Sequence, residues 1–160
     1  MCGLLGILTA NGNAADFVPA LERALPCMRH RGPDDAGTWH DVDAAFGFNR
    51  LSIIDIAHSH QPLRWGPADE PDRYAMTFNG EIYNYIELRK ELADLGYTFN
   101  TEGDGEPIVA GFHHWGADVV EHLRGMFGIA IWDTKERTLF LARDQFGIKP
   151  LFYATTAVGT

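Results

Sequence analysis

A cysteine directly follows the initiator methionine in the opening stretch MCGLLGIL, and Cys2 is one of only two cysteines in the chain. Removal of Met1 would give this residue a thiol and a free α-amine together. An α-amine has a reference pKa of about 7.7–8.0, so near neutrality much of it can accept the thiol proton. Cys2 is therefore a candidate nucleophile that carries its own general base. The alternative is a small apolar residue at the start of a buried strand.

The stretch TFNGEIYNY places Asn79 beside Gly80. A side-chain amide next to a glycine N–H offers two donors that converge on one point, as an oxyanion hole requires. The alternative is a plain turn, because Asn-Gly after an extended apolar stretch is also a turn signal.

Three charged residues suit a zwitterionic ligand near such a hole. Arg50 ends a predicted strand, Glu81 directly follows Gly80, and Asp104 lies between two glycines that allow close backbone approach. A planar guanidinium binds an α-carboxylate, and carboxylates bind an α-ammonium. The alternative for Asp104 is a turn or helix cap ahead of Pro107.

Composition restricts the partners of the chain. The 46% apolar fraction predicts a folded core, and a net charge of −9 disfavours nucleic acid, which needs a basic face. Two cysteines make no disulfide framework, and the N-terminus lacks the pattern of a secretory signal. No apolar run approaches the ~20 residues of a membrane span. We therefore expect a cytoplasmic protein without nucleic-acid or membrane partners.

Apolar periodicity predicts an α+β fold of antiparallel sheets with helices packed outside. The predicted helices cover Ala14–Arg29 (interrupted at Pro26), 84–95, Pro107–Trp115 and Ala117–Leu123. The predicted strands cover residues 3–9, 45–54, 74–79 and 151–153, with two more within 126–144 around a turn at Asp133–Arg137. The segments 29–37 and 58–73 are predicted loops. Because the chain stops just after a predicted strand, which would leave a sheet edge unsupported, we expect a domain truncated at its C-terminal end.

Several short motifs occur in a specific order, although each alone is a weak signal. They are MCG at the start, MRHRGPDDAG at 28–37, NRLSIID at 49–55, QPL at 61–63, FNGEIYN at 78–84, GD at 103–104, GMF at 125–127 and RDQFGIKPLFY at 143–153. With this set the chain resembles the class II glutamine amidotransferases, which are N-terminal-nucleophile hydrolases. Within that class it is similar to the glutaminase domain of glutamine-hydrolysing asparagine synthetases.

The resemblance implies a four-layer αββα sandwich and a role for each candidate residue. Cys2 would attack the carboxamide of L-glutamine, release ammonia and form a γ-glutamyl thioester, which water hydrolyses to glutamate. Asn79 and Gly80 would form the oxyanion hole. Arg50 would bind the α-carboxylate of glutamine, and Glu81 and Asp104 would bind its α-ammonium. The pocket wall would consist of Leu51, Ile53 and Ile54. An equally good interpretation of Leu51 and Ile53 is that they are core strand residues.

The resemblance also implies partners and a domain organisation. Residues 1–160 would be one glutaminase domain, whose ammonia serves ATP-dependent asparagine synthesis from aspartate in a C-terminal synthetase domain absent from this sequence. ATP and Mg would belong to that domain, and we expect no cofactor and no metal here, because the histidine pairs at 58/60 and 113/114 lack metal-ligand spacing. The alternatives are a related amidotransferase with another acceptor, a non-catalytic glutamine-binding module and a cysteine hydrolase of another amide; a homodimer stays open. We expect Cys27 to pack in the core, and Lys149 to form either a salt bridge or a domain contact.

Overall fold

The structure, a computed structural model, describes residues 1–10 and 12–156, which form two antiparallel sheets with helices on their outer faces. The strands are β1 (Gly3–Leu8), β2 (Asp35–His40), β3 (Ala44–Arg50), β4 (Leu63–Trp65), β5 (Tyr74–Ile82), β6 (Gly125–Asp133) and β7 (Thr138–Arg143). The α-helices are α1 (Val18–Ala24), α2 (Tyr85–Asp94), α3 (Gly105–Trp115) and α4 (Val119–His122). Short 3-10 segments cover Ala14–Phe17, Leu25–Met28 and Gly116–Asp118.

The layers stack in the order helix, sheet, sheet, helix, which confirms the αββα sandwich. The first sheet has the strand order β1-β3-β2 and the second has the order β4-β5-β6-β7. Phe46 of the first sheet and Trp132 of the second pack together in the core between the sheets. Leu21 of α1 covers the outer face of the first sheet, and Leu92 of α2 and Ile108 of α3 belong to the cluster on the outer face of the second.

Three predicted helices are confirmed, and the first is broken as its prolines require. α1 ends at Ala24, and the chain continues as a 3-10 turn that has Pro26 in its first positions. A proline in a helix interior removes a backbone donor and clashes with the preceding turn. The sequence-based helix over Ala14–Arg29 is therefore three short pieces that still bury Leu21 and Leu25.

Several strand predictions were wrong. β2 begins within the predicted loop 29–37. Gly37 lies in this strand and not in a turn, and it lets the Gln61 backbone approach closely, since a Cβ there would lie 2.6 Å from the Gln61 carbonyl oxygen. β4 lies inside the predicted loop 58–73. β3 ends at Arg50 instead of residue 54, and the described segment 151–153 is not a strand.

The packing prediction for Cys27 was also wrong. Cys27 is exposed, because the 3-10 turn that carries it directs Leu25 rather than its neighbours into the core. Leu95 is 51% exposed and lies beyond the last turn of α2, whose buried face comprises Leu88 and Leu92.

Candidate active site

All nine candidate residues line one cavity of about 220 Å³. Cys2 reaches it from the residue before β1, Arg50 from the end of β3 and Asp104 from the residue before α3. The remaining members come from the loop after β3 and from β5, namely Leu51, Ile53, Ile54, Asn79, Gly80 and Glu81. Residues 102 positions apart in sequence thus meet at one end of the sandwich.

Cys2 is held at its nitrogen, sulfur and carbonyl oxygen. Its N–H donates to Asn79 Oδ1 at 3.0 Å, and its Sγ accepts the Leu51 N–H at 3.4 Å. Its carbonyl oxygen accepts from Arg31 Nε at 3.1 Å, which gives the RHRGP motif a role in the site. In the same motif Gly32 packs on β3, since a Cβ there would lie 2.7 Å from the Arg50 carbonyl carbon.

β5 turns Asn79 and Glu81 towards the face of the sheet that meets β1. Phe78 and Ile82 lie in the core cluster with the outer helices, and neighbouring side chains on a strand point to opposite faces. Asn79 and Gly80 therefore lie inside a nine-residue strand, and the alternative interpretation as a plain turn was wrong. The pairing Asn79↔Gly128 and Gly80↔Phe127 with β6 explains the extended conformation.

The N–H of Gly80 points outward from the edge of β5 that borders the cavity. Two residues before it, the Phe78 N–H donates to Gln61 Oε1 at 2.7 Å. Two residues after it, the Ile82 N–H donates to Asp104 Oδ2 at 3.0 Å. Because N–H groups alternate between the two edges of an antiparallel strand, Gly80 presents its N–H between these two bonds, on the edge away from β6.

Asn79 and Gly80 form a pair of donors at the cavity wall. A backbone N–H can only donate, so the atom that Cys2 N–H contacts is the amide oxygen of Asn79, which leaves Nδ2 as a donor. Within residues 1–10 and 12–156, Asn79 Nδ2 has no hydrogen-bond partner. Only glycine fits at position 80, because a Cβ would clash with the Met126 carbonyl oxygen and lie 2.8 Å from Phe127 Cα.

Arg50 is 5% exposed and holds the loop that follows it. Its Nη2 donates to the carbonyl oxygens of Ile54 and Asp55, and its Nη1 donates to that of Ile56 at 2.9 Å. These bonds use both hydrogens of Nη2 and one of Nη1, so Nε–H and one Nη1–H remain for a ligand. The guanidinium therefore shapes the cavity wall formed by Ile53 and Ile54. Ile53 is 62% exposed, so the interpretation of Ile53 as a core strand residue was wrong. Leu51 also lies in this loop rather than in a strand, and it is half-buried.

Asp104 carries a carboxyl group whose pKa lies above its usual value. Burial is the main cause that raises this pKa, and the nearby charge of Glu81 raises it further. The hydrogen bond from the Ile82 N–H and the charge of Arg50 act in the opposite direction and lower it. Glu81 is half-buried at the same cavity wall. Asp104 also precedes α3, although its side chain does not cap that helix. The site thus holds two carboxyl groups whose mutual repulsion a bound cation would relieve.

Asp55 joins the loops that carry the ligand-facing residues. Its Oδ2 accepts the Glu102 N–H at 2.8 Å, and its Oδ1 contacts His58 Nδ1 at 2.9 Å. The Glu102 bond is the main cause that holds the pKa of Asp55 below its usual value. Its φ of 44° lies in the left-handed region, which Asp and Asn tolerate best after glycine. Sequence reasoning missed Asp55, although it closes the NRLSIID motif.

Lys149 is a further cavity residue, for which the sequence left a salt bridge and a domain contact open. It is 5% exposed, lines the cavity with Cys2 and forms no ion pair with any residue that the structure describes. The buried carboxylate of Asp144 fixes it, because Asp144 accepts the N–H groups of Lys149, Ile148, Phe146 and Phe127 at 2.9–3.2 Å. Burial alone would raise the pKa of Asp144, but these four bonds hold it below its usual value. The signal in the sequence was the motif RDQFGIKPLFY.

No group of three His, Cys, Asp or Glu side chains in residues 1–10 and 12–156 is arranged to hold a metal ion. The described helices include none that is long and apolar enough to cross a membrane.

Comparison with known proteins agrees with the fold and with the motifs. The sequence profile of the glutamine amidotransferase domain family matches residues 1–160. A Mycobacterium tuberculosis protein named as a glutamine-hydrolysing asparagine synthetase is 63% identical over all of this chain and 26% of its own length. Asparagine synthetase [glutamine-hydrolyzing] 1 of Bacillus subtilis is 45% identical over 97% of this chain and 24% of its own length. The chain thus spans about a quarter of the length of these curated relatives.

Solved structures share the fold at low sequence identity. The glutamine phosphoribosylpyrophosphate amidotransferase of B. subtilis superposes with a TM-score of 0.65 at 19% identity, over 90% of this chain and 37% of that one. A structure titled as the allosteric regulatory enzyme of purine biosynthesis gives a TM-score of 0.69, also at 19% identity, over 94% of this chain and 38% of that one. The fold is that of the N-terminal-nucleophile amidotransferases, and the chain belongs to the glutamine amidotransferase domain family.

Proposed function

We propose that this domain hydrolyses L-glutamine to glutamate and ammonia through a thioester on Cys2, after Met1 has been removed. The observation that carries the proposal is the contact of the Cys2 nitrogen with Asn79 Oδ1 at 3.0 Å, in a cavity that also holds Arg50, Glu81 and Asp104. The cavity thus combines a nucleophile and hydrogen-bond donors with charged partners for both the α-carboxylate and the α-ammonium of an amino acid.

The nucleophile and its base belong to one residue. Once Met1 is removed, the Cys2 α-amine accepts the thiol proton, and the thiolate attacks the carboxamide carbon of glutamine. Asn79 Nδ2 and the Gly80 N–H bind the resulting oxyanion. The protonated amine then gives its proton to the leaving nitrogen, and ammonia departs as the γ-glutamyl thioester forms. The amine next removes a proton from water, which attacks the thioester; glutamate leaves and the thiol is restored.

The α-amino acid end of glutamine selects the substrate. The two remaining donors of Arg50 bind the α-carboxylate, and Glu81 and Asp104 bind the α-ammonium. An ammonium ion placed between two carboxyl groups also offsets their repulsion. Leu51, Ile53 and Ile54 contact the methylene groups between the two polar ends.

We further propose that the ammonia serves ATP-dependent synthesis of asparagine from aspartate, in a synthetase domain that a longer cytoplasmic chain would carry. The names of the M. tuberculosis and B. subtilis relatives support this acceptor. ATP and Mg would act in that domain and not in this one. Hydrolysis of another amide by the same cysteine is the second candidate, because a Gibberella zeae protein named as an amidase is 36% identical over 96% of this chain.

Ammonia release from glutamine tests the hydrolysis. The Met1-processed protein, verified by intact mass, is compared with Cys2→Ala and with Cys27→Ala, which changes the exposed second cysteine. We expect release by the wild type and by Cys27→Ala, and none by Cys2→Ala. Full activity in Cys2→Ala would refute the mechanism, and glutamine binding without hydrolysis by the processed wild type would indicate a binding module.

A further inference from the structure

Ser59 brings to the active-site cavity a polar side chain that none of the catalytic steps uses. It lies in the loop between β3 and β4 and lines the cavity together with Arg50, Glu81 and Asp104. Its Oγ is buried and has no hydrogen-bond partner within residues 1–10 and 12–156. Most buried hydroxyl groups have a partner, because an unpaired one loses its bonds to water without replacement. An unpaired hydroxyl group in a cavity wall therefore indicates a contact that a ligand completes.

The two residues next to Ser59 hold it in place. His58 Nδ1 contacts Asp55 Oδ1 at 2.9 Å. His60 Nδ1 contacts Asp35 Oδ2 at 2.7 Å on the other side. Because both neighbours are fixed by their own side chains, the backbone between them sets the position of the Ser59 hydroxyl group.

Ser59 Oγ lies directly against the segment that carries Asp104. A Cβ atom on Gly103 would overlap Ser59 Oγ, so the hydroxyl group occupies the space that a side chain at position 103 would take. The two segments are also joined by a hydrogen bond, because Asp55 Oδ2 accepts the Glu102 N–H at 2.8 Å. The hydroxyl group is therefore fixed beside the residue that immediately precedes Asp104.

We propose that Ser59 Oγ accepts a hydrogen bond from the α-ammonium group of L-glutamine, as the third acceptor beside Glu81 and Asp104. This inference rests on the proposed function, which supplies glutamine as the ligand. A primary ammonium group has three N–H donors, and one carboxyl group for each of two donors leaves the third without an acceptor. A hydroxyl oxygen accepts this bond without adding a negative charge to a site that already holds two carboxyl groups.

The α-carboxylate is the less suitable partner for this hydroxyl group. Arg50 keeps Nε–H and one Nη1–H for a ligand, and these two donors match the two oxygens of a carboxylate. Ser59 instead adjoins Gly103, and Asp104 is the next residue. The position of Ser59 thus assigns it to the ammonium end of the ligand. Since its hydroxyl group bonds to no described residue, its removal affects binding and not stability.

Two measurements on Ser59→Ala separate a ligand contact from a structural role. The full-length, Met1-processed protein carries Cys2→Ala to prevent turnover, and calorimetry gives its Kd for L-glutamine with and without Ser59→Ala. We expect this Kd to rise about tenfold, because a hydrogen bond to a charged group contributes about that factor or more. We expect the Tm from circular dichroism not to fall, because the free protein loses no hydrogen bond. An unchanged Kd, or a Kd that rises together with a lower Tm, would overturn the proposal.

Ser52→Ala is the matched control for the loss of a hydroxyl group. Ser52 lies in the same loop and lines a different depression together with Asp34 and His60. We expect Ser52→Ala to leave the Kd for glutamine unchanged. An equal rise of the Kd in Ser52→Ala and Ser59→Ala would show that any change in this loop weakens binding, and it would overturn the specific role of Ser59.

A second ligand tests the contact with the ammonium group. 4-Carbamoylbutanoate is glutamine without its α-ammonium group, so we expect Ser59→Ala to leave its Kd unchanged. An equal loss of affinity for both ligands would overturn the assignment of Ser59 to the ammonium end. Absence of glutamine binding by the Cys2→Ala protein would refute the proposed function, and this inference with it. Equal glutamine binding with and without the Ser59 hydroxyl group would overturn the inference alone.

Discussion

Removal of the Asn79 side chain separates its two roles. In Asn79→Ala the Gly80 N–H remains as one donor to the oxyanion, and the Nδ2 donor is lost. Loss of one such donor lowers kcat by about 10²–10³, or about 2.7–4 kcal/mol of transition-state stabilisation. KM changes little, because Arg50, Glu81 and Asp104 are untouched and the lost bond forms mainly in the transition state.

The same substitution also affects stability. Asn79 is 4% exposed, and its Oδ1 accepts the Cys2 N–H at 3.0 Å. A partly buried N–H without an acceptor costs about 1–3 kcal/mol. At about 2–4 °C per kcal/mol for a protein of this size, the Tm of Asn79→Ala falls by about 2–12 °C. Asn79→Asp keeps an acceptor for the Cys2 nitrogen, so its Tm falls less.

The two variants together make the assay decisive. Steady-state glutamate formation by Met1-processed proteins is measured well below both unfolding midpoints, with Tm followed by circular dichroism. We expect Asn79→Asp to lose at least as much kcat as Asn79→Ala, because a carboxylate cannot donate and repels the oxyanion. Wild-type kcat in Asn79→Ala, or a kcat loss in step with Tm across both variants, would refute the donor role of Asn79.

Three further predictions follow from the same cavity. The pKa of Asp104 is raised, so its carboxyl group becomes protonated at a higher pH than usual. The KM for glutamine should therefore rise as the pH falls through this pKa. Asp104→Asn should have a high KM without this pH dependence. A wild-type KM that stays constant over that range would contradict the ammonium contact. Arg50→Ala should raise KM more than it lowers kcat, and an unchanged KM in initial-rate kinetics would refute the carboxylate contact. Gly80→Ala should lower the free energy of unfolding by about 1–3 kcal/mol or more in urea titration, because its Cβ meets the β6 backbone at Met126 and Phe127; an unchanged value would contradict the packing.

Much of the site could be predicted because its chemistry lies in short linear stretches. Cys2 has a thiol and a prospective α-amine on one residue, and Asn79, Gly80 and Glu81 are consecutive. Such features need no tertiary information, since the residue types alone limit the chemistry. The helices over 84–95 and 107–115 were predictable for the same reason, because the spacing of Leu88 and Leu92 marks one buried face.

Only the tertiary structure decided how these stretches meet. Asn79-Gly80 is compatible with a turn or a strand, and pairing with β6 selects the strand. The Gly80 N–H lies on the edge of β5 away from β6, between the N–H groups of Phe78 and Ile82, which donate to the distant residues Gln61 and Asp104. Arg50 was predicted as a ligand residue, but its bonds to the following loop depend on a backbone path that no pattern encodes. The sequence by itself therefore determined which groups can react, whereas contacts between distant residues determined which donors remain free to do so.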